Sequence, residues 1–384
     1  MDVHGHCEPR FRRVRDAFAK NFETHGEVGA ACCVYFAGEP VVDVYAGVRD
    51  ASTGEPWRDD TIAMVFSATK GVTAACVNLL VERGAIDPDA PVARFWPEFA
   101  AEGKGDIPVR FALSHQAGVP AVDAPLTLDE CLAWDPVVAA VAAQKLEWEP
   151  GSRHGYHART YGWIAGEIVR RVTGKSLGRF LRDEVAGPLG LDFWVGLPAA
   201  EEARTARLVP PARPSDPKVQ ALYDQFMGPG TLLGRVMTGP SNLFHYDEMW
   251  NTRALHAAEM PSSNGIGSAR SLARLYGALI GEVDGIRLLA RDSLARATAV
   301  QAQGTDAVLG MPTAFGLGFM RPPSLSLAAA PAAFGHPGAG GSLGIADAEK
   351  GFALGYVMNK MDMGLTGDPR ARDLVAAVYE SLVG

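Results

Sequence analysis

From Glu8 to about Thr24, Phe11, Val14, Phe18 and Phe22 recur every three or four residues with Arg and Lys between them, which predicts an amphipathic surface helix. The period then changes. Val28 to Phe36 and Pro40 to Ala46 are apolar runs enriched in valine, and Ala37-Gly38-Glu39 between them predicts a hairpin. An apolar stretch from Met64 runs on through Leu79-Leu80-Val81 and stops at Gly84, as a helix closed by a glycine does. Residues 126 to about 195 carry helical periodicity, clearest over Tyr161 to Val172 and Leu177 to Val185. Residues 210–260 are rich in Pro, Gly and Met and read as a long loop, with Phe226, Phe244, Tyr246 and Trp250 as packing anchors. A helix capped by Ser268 follows to Ile280, then an alternating strand from Gly351 to Met358 and a last helix from about Pro369 to Leu382.

Helix, hairpin and buried helix at one end, with strand and helix at the other, predict an α+β protein whose two terminal helices cover one sheet. Residues 1–80 and 265–384 are therefore expected to form a discontinuous sheet domain. Residues 81–264 are expected to form a mostly helical region carrying the long loop 210–260.

Composition narrows the function classes. The 47% hydrophobic and 21% charged content suits a globular protein, and a net charge of −8 without a basic stripe argues against nucleic acid as a partner. No run approaches the ~18 apolar residues of a membrane span, and the first ten residues lack the apolar centre of a signal peptide, so a cytoplasmic protein is expected. Five cysteines (Cys7, Cys32, Cys33, Cys76 and Cys131) are an odd number with no metal-ligand spacing, which predicts free thiols.

Candidate chemistry begins at Ser67-Ala68-Thr69-Lys70. Ser67 falls at a helix start, where first-turn amides point outward, and Lys70 three positions on shares its face. A nucleophile, a base and a partial positive field are thus packed into four residues. Ser-x-x-Lys recurs at Ser215-Asp216-Pro217-Lys218, but among prolines, where Ser215 is expected to cap a turn or start a short helix. Gly340-Gly341-Ser342-Leu343-Gly344 matches a nucleophile elbow by letter, yet glycines precede Ser342 and a strand follows a turn, so a hairpin is expected. His4 and His6 sit at a frayed terminus, and His115, His154 and His157 lack helical metal spacing, so no metal is expected.

Ser67-Ala68-Thr69-Lys70, Tyr156-His157-Ala158 and His336-Pro337-Gly338, in that order, resemble the three motifs of the serine β-lactamase and penicillin-binding-protein superfamily. The similarity is to its class C-like branch, which includes the family VIII carboxylesterases, and it covers most of the chain outside roughly 210–260. It implies a β-lactamase-like fold, with an antiparallel five-stranded sheet flanked by helices and a helical region beside it. It also implies that Ser67 is acylated, that Lys70 and Tyr156 form the base system, and that the backbone amides of Ser67 and Ala339 form the oxyanion hole. His336, Gly338, Ala158 and His157 would meet the substrate. Either Lys70 is the neutral base or a charged Lys70 stabilises a Tyr156 phenolate. Tyr161, five residues beyond Tyr156, opens an apolar helix face and is expected to pack.

Two positions depart from the family pattern. Ala158 stands where asparagine is usual, and His336, at most partly charged at neutral pH, stands where lysine is frequent. Both favour esters over lactams. The expected function is hydrolysis of small-molecule carboxylic esters without a cofactor. The rivals are a β-lactamase or D-alanyl-D-alanine peptidase, an acyltransferase using the same acyl-enzyme, and a non-catalytic ligand-binding relative. The oligomeric state is not legible.

Overall fold

A computed structural model describes every residue except 213–215, 365 and 384, and all the remaining side chains except those of 219, 222 and 223. The second Ser-x-x-Lys serine, Ser215, lies outside the described residues.

The valine-rich runs near the N-terminus form the predicted hairpin, Gly29–Phe36 with Glu39–Asp50, and the late strand Phe352–Met358 pairs with its first arm, Met358 opposite Ala30. Leu343–Asp347 and Phe334–Pro337 continue the sheet, all antiparallel. The expectation of five strands is corrected here, because among the described residues the sheet has ten. The additions are edge pieces of two to four residues: His4–Cys7, Glu55–Pro56, Met320–Arg321, Pro312–Phe315 and Ala302–Thr305. Strands that short leave almost no period in a sequence.

Alternation sends neighbouring strand residues to opposite faces. Cys33 and Tyr35 join one core while Cys32 and Val34 join the other, and all five cysteines are free thiols. The second core is covered by Arg12–Thr24, through Val14 and Phe18, and by Pro369–Val383, through Leu374, Val375 and Val378. On the first face lies Ala269–Ile280, capped as predicted by the Ser268 hydroxyl accepting from the Ser271 amide. Beneath it runs Thr69–Glu82, in which every residue from Thr69 to Leu80 is buried. A helix buried on all sides belongs in the middle of a protein, and this one carries the Ser67 turn at its start.

The long loop expected over 210–260 is also corrected. It contains the helices Pro217–Met227 and Leu232–Thr238 and shorter turns at Glu248–Asn251 and Arg253–Ala257. Its prolines and glycines mark helix ends rather than an irregular path. Asp216 and Thr231 accept capping bonds from Lys218 and Gly234 amides. Of the four aromatic anchors, Phe244 and Trp250 are buried, Tyr246 reaches the site described below, and Phe226 is exposed.

The C-terminal helix is fastened by Arg370. Its guanidinium meets Glu27 at 3.1 Å and Asp368 at 2.7 Å and donates to the carbonyls of Lys360 and Gly340. All three charged side chains are nearly fully buried. Arg370→Met is expected to lower stability by about 3–5 kcal/mol, because it strands two buried carboxylates. A guanidinium chloride unfolding midpoint within error of the parent protein would refute this.

Candidate active site

Phe66, just before Ser67, has φ of 43°, a conformation that a bulky residue holds only when its surroundings enforce it. The enforcement is visible. The Phe66 ring is held edge-on by Tyr246 at 5.4 Å and Trp250 at 5.1 Å between centroids. The following turn, Phe66–Ala68, leaves Ser67 half-buried and reachable at the mouth of the central helix. Thr69 and Thr73, one helical turn apart, bind the helix to the 261–265 segment. Thr69 donates to Phe66 O and accepts from the Gly265 amide, and Thr73 donates to Pro261 O.

Lys70 projects from the same turn and is fully buried. Its Nζ lies 3.3 Å from Ser67 Oγ, and donates to Ala158 O at 2.7 Å and Ser262 O at 3.0 Å. Burial first, and the nearby Arg159 charge second, hold its ammonium well below the usual lysine range. A neutral amine has two N–H groups and one lone pair. Two carbonyls take the N–H groups, and the remaining direction is toward the serine hydroxyl.

Tyr156 stands across from Lys70, with Nζ 4.8 Å from its ring centre, and lines the same small pocket as Ser67. Burial pushes the phenol well above its ordinary value, and the Ser67 contact offsets this only in part. Its backbone is set by Asp306, a buried carboxylate that accepts from the amides of Tyr156, Val308 and Leu309 and from the Thr313 hydroxyl. His115, in a left-handed turn at φ 64°, receives the His157 amide on Nδ1 and the Gly155 amide on its carbonyl. Tyr161 packs as expected, 1% exposed, on the Lys70 backbone.

The strand Phe334–Pro337 brings the third motif alongside. A Cβ on Gly338 would stand 2.1 Å from Val65 O, so only glycine lets this strand end close on the Ser67 turn. Ala339 and His336 then border, with Ser67, Tyr156, Met237 and Tyr246, a pocket of about 10 Å³, room for one water-sized group. Nδ1 of His336 donates to Pro337 O at 2.7 Å, which leaves Nε2 an acceptor, buried and without a partner. Burial, reinforced by Lys70, lowers its pKa to about 3. His336, expected to be at most partly charged at neutral pH, is thereby held toward its neutral form.

Two other expectations change. His157 was expected to meet substrate, but it is fully buried, accepts the Val119 amide on Nε2 and donates from Nδ1 to Gly155 O. Both nitrogens are consumed by the loop that presents Tyr156. Gly338 serves close packing and is absent from the lining of the pocket at Ser67. Ala158 does face a second small pocket, with Ser67, Arg159, Trp250 and Ser263. Ser342 is excluded as a nucleophile, because its buried hydroxyl donates to Val65 O inside the turn between two strands.

Ser262, Arg159, Asp306 and Tyr246 are site residues that motif spacing does not reveal. Two of them had a visible signal: Arg159 is a charged residue directly after the second motif, and Tyr246 is one of the aromatic residues of the 210–260 stretch. Beyond Tyr246 and Ala339 the site opens into a cavity of about 330 Å³, walled by Met227, Met361, Met363 and His245 among others.

A buried lysine beside a serine at the start of a central helix, a tyrosine opposite and a sheet strand closing the third side follow the three-motif arrangement of the serine β-lactamase-like fold. The family model described as Beta-lactamase matches residues 14–377, and the chain belongs to that family. It is 37% identical over 370 residues to the Esterase/beta-lactamase LipL of Mycobacterium tuberculosis, covering 94% of this chain and 83% of that relative. A solved family VIII carboxylesterase superposes with a TM-score of 0.89 at 40% identity, covering 99% of this chain and 100% of the other. A penicillin-binding protein homologue from Caulobacter crescentus gives 0.87 at 38% identity, with 99% and 100% covered.

Proposed function

We propose that the chain hydrolyses carboxylic esters of small molecules through an acyl-enzyme on Ser67. The observation that carries this reading is the buried Lys70, with two carbonyls on its N–H groups and the Ser67 hydroxyl in the third direction. Lys70 takes the Ser67 proton as Oγ forms a bond to the ester carbonyl carbon. The carbonyl oxygen becomes an oxyanion held by the Ser67 and Ala339 amides. Tyr156, kept as a phenol, relays the proton from Lys70 to the departing alkoxide as the C–O bond breaks. Water then repeats the sequence in reverse, giving its proton to the same pair and releasing the acid from Ser67. Of the two base assignments, the directions of the pKa shifts favour neutral Lys70 over a Tyr156 phenolate. The small pocket beside Ser67 has room for no more than a water-sized group, so the bulk of a substrate would lie in the larger cavity beyond Tyr246 and Ala339. The five free thiols fit a reducing, cytoplasmic setting.

The similarity to LipL, an esterase/beta-lactamase, and to the Caulobacter penicillin-binding protein homologue brings lactams forward as a second class. Ala158 offers no side-chain donor to a substrate amide, and neutral His336 offers no cation to a substrate carboxylate. Two missing polar contacts at ~1–3 kcal/mol each separate the substrates by roughly 30-fold to ~10⁴-fold. Short-chain p-nitrophenyl esters are therefore expected to exceed a chromogenic cephalosporin in kcat/KM by that factor. Equal values would overturn the ester preference, and no turnover of either would overturn the hydrolase reading.

A further inference from the structure

The pocket beside Ser67 combines a size, a polar lining and a stranded lone pair that acylation does not use. Its volume of about 10 Å³ matches a single water, and Tyr156 and His336 both border it with their ring centres 6.1 Å apart. Leu309, Met237 and Met320 close other sides with apolar groups. His336 is 1% exposed, and its Nδ1 is committed to Pro337 O at 2.7 Å. Nε2, at the far tip of the ring, finds no donor among the described residues. Burial keeps the ring neutral, so Nε2 retains its lone pair.

A buried acceptor without a donor is costly, so the site calls for a small group that brings an O–H or N–H. Ser67, Tyr156 and His336 together offer as many polar partners as a buried water takes. An acyl chain or a leaving alcohol does not fit so small a space, whereas the cavity of about 330 Å³ beyond Tyr246 and Ala339 has room for both.

We propose that this pocket seats the hydrolytic water of deacylation and that His336 Nε2 is the acceptor that orients it, so that the acyl-enzyme yields to water in preference to an alcohol. The proposal rests on the reading of Ser67 as the acylated residue and of Lys70 with Tyr156 as its proton-transfer pair. One O–H of the water donates to Nε2 and stays intact. The other faces the pair and gives up its proton as the water oxygen bonds to the acyl carbon. The bond from that carbon to Ser67 Oγ then breaks, Oγ takes the proton back, and the free acid leaves. An alcohol has only one O–H, which the pair must take. It therefore has nothing to offer Nε2, and its alkyl group runs into Leu309 and Met320.

The test follows turnover of p-nitrophenyl acetate with and without 1-butanol. In the parent protein, butyl acetate formed per mole of butanol should fall below acetic acid formed per mole of water. Leu309→Ala opens one wall and keeps the amide that Asp306 holds, and it should raise that ratio roughly tenfold or more. His336→Leu removes the acceptor. It should lower kcat by roughly tenfold to 10²-fold, lower kcat/KM, which reports acylation, by less, and let acetyl-enzyme accumulate on Ser67 in quenched intact-mass spectra. His336→Gln, whose amide oxygen can accept in the same place, should recover part of kcat. Equal losses in kcat and kcat/KM with no acetyl adduct would assign His336 to substrate positioning and overturn the proposal. Should the His336 variants fail to fold, a parental ratio above one, or a ratio unmoved in Leu309→Ala, overturns it equally. Full turnover in Ser67→Ala would instead remove the acyl-enzyme reading itself, so the two failures are told apart.

Discussion

Ser67→Ala will abolish ester hydrolysis, with a loss on the order of 10⁴- to 10⁶-fold in kcat, because it removes the hydroxyl that faces the buried Lys70 amine. Ser342 is sequestered on Val65 O, and the turn it stabilises sits behind the motif strand. The fold should be untouched. Ser67 is half-buried and its side chain makes no capping bond to the helix, so its removal should cost less than about 1 kcal/mol. Intact-mass analysis with a fluorophosphonate should show one adduct on the parent protein, mapping to the Ser67 peptide, and none on the variant. An adduct on Ser342, or retained turnover in the alanine protein, would refute the assignment.

Lys70→Ala and Tyr156→Phe come next in size. Each is expected to lower the acylation rate by ~10²–10⁴-fold, the usual range for a displaced general base or proton relay. Together they should lose little more than the worse of the two, because a proton path broken at one point is not broken further at a second. Single-turnover acylation in the double variant decides the matter, and a loss equal to the product of the single losses would make the residues independent. Tyr161→Phe, which keeps the packing ring, should retain most activity. The sign of the pH dependence follows from the shifts. The Lys70 ammonium is destabilised, so activity should persist well below the ordinary lysine range, and the Tyr156 phenol is stabilised, so its ionisation should impose no alkaline limb near neutrality.

Much of the fold was legible because its signals are local. The Phe11, Val14, Phe18, Phe22 spacing produced the surface helix Arg12–Thr24, and Ser268 caps its helix as its position implies. The two-to-four-residue edge strands were not legible, since pairing with a neighbour, and not their own pattern, makes them strands. The helices at 217–227 and 232–238 were hidden for a different reason. Their caps, Asp216 and Thr231, lie in a segment whose prolines and glycines resemble a loop when helix boundaries are not sought.

Within the site, the sequence by itself determined which side chains bear the chemistry. Ser67 and Lys70 are held together by the helical repeat, and Tyr156 and His336 belong to motifs whose order along the chain is distinctive. Charge state and neighbours were decided only by the tertiary structure. Whether Lys70 is an amine, whether His336 carries a proton and whether His157 is free to meet a substrate depend on burial and on partners more than thirty residues away, such as Ser262 O and Val119 N. Ionisation responds to the dielectric and charges around a group in three dimensions, and linear spacing contains neither.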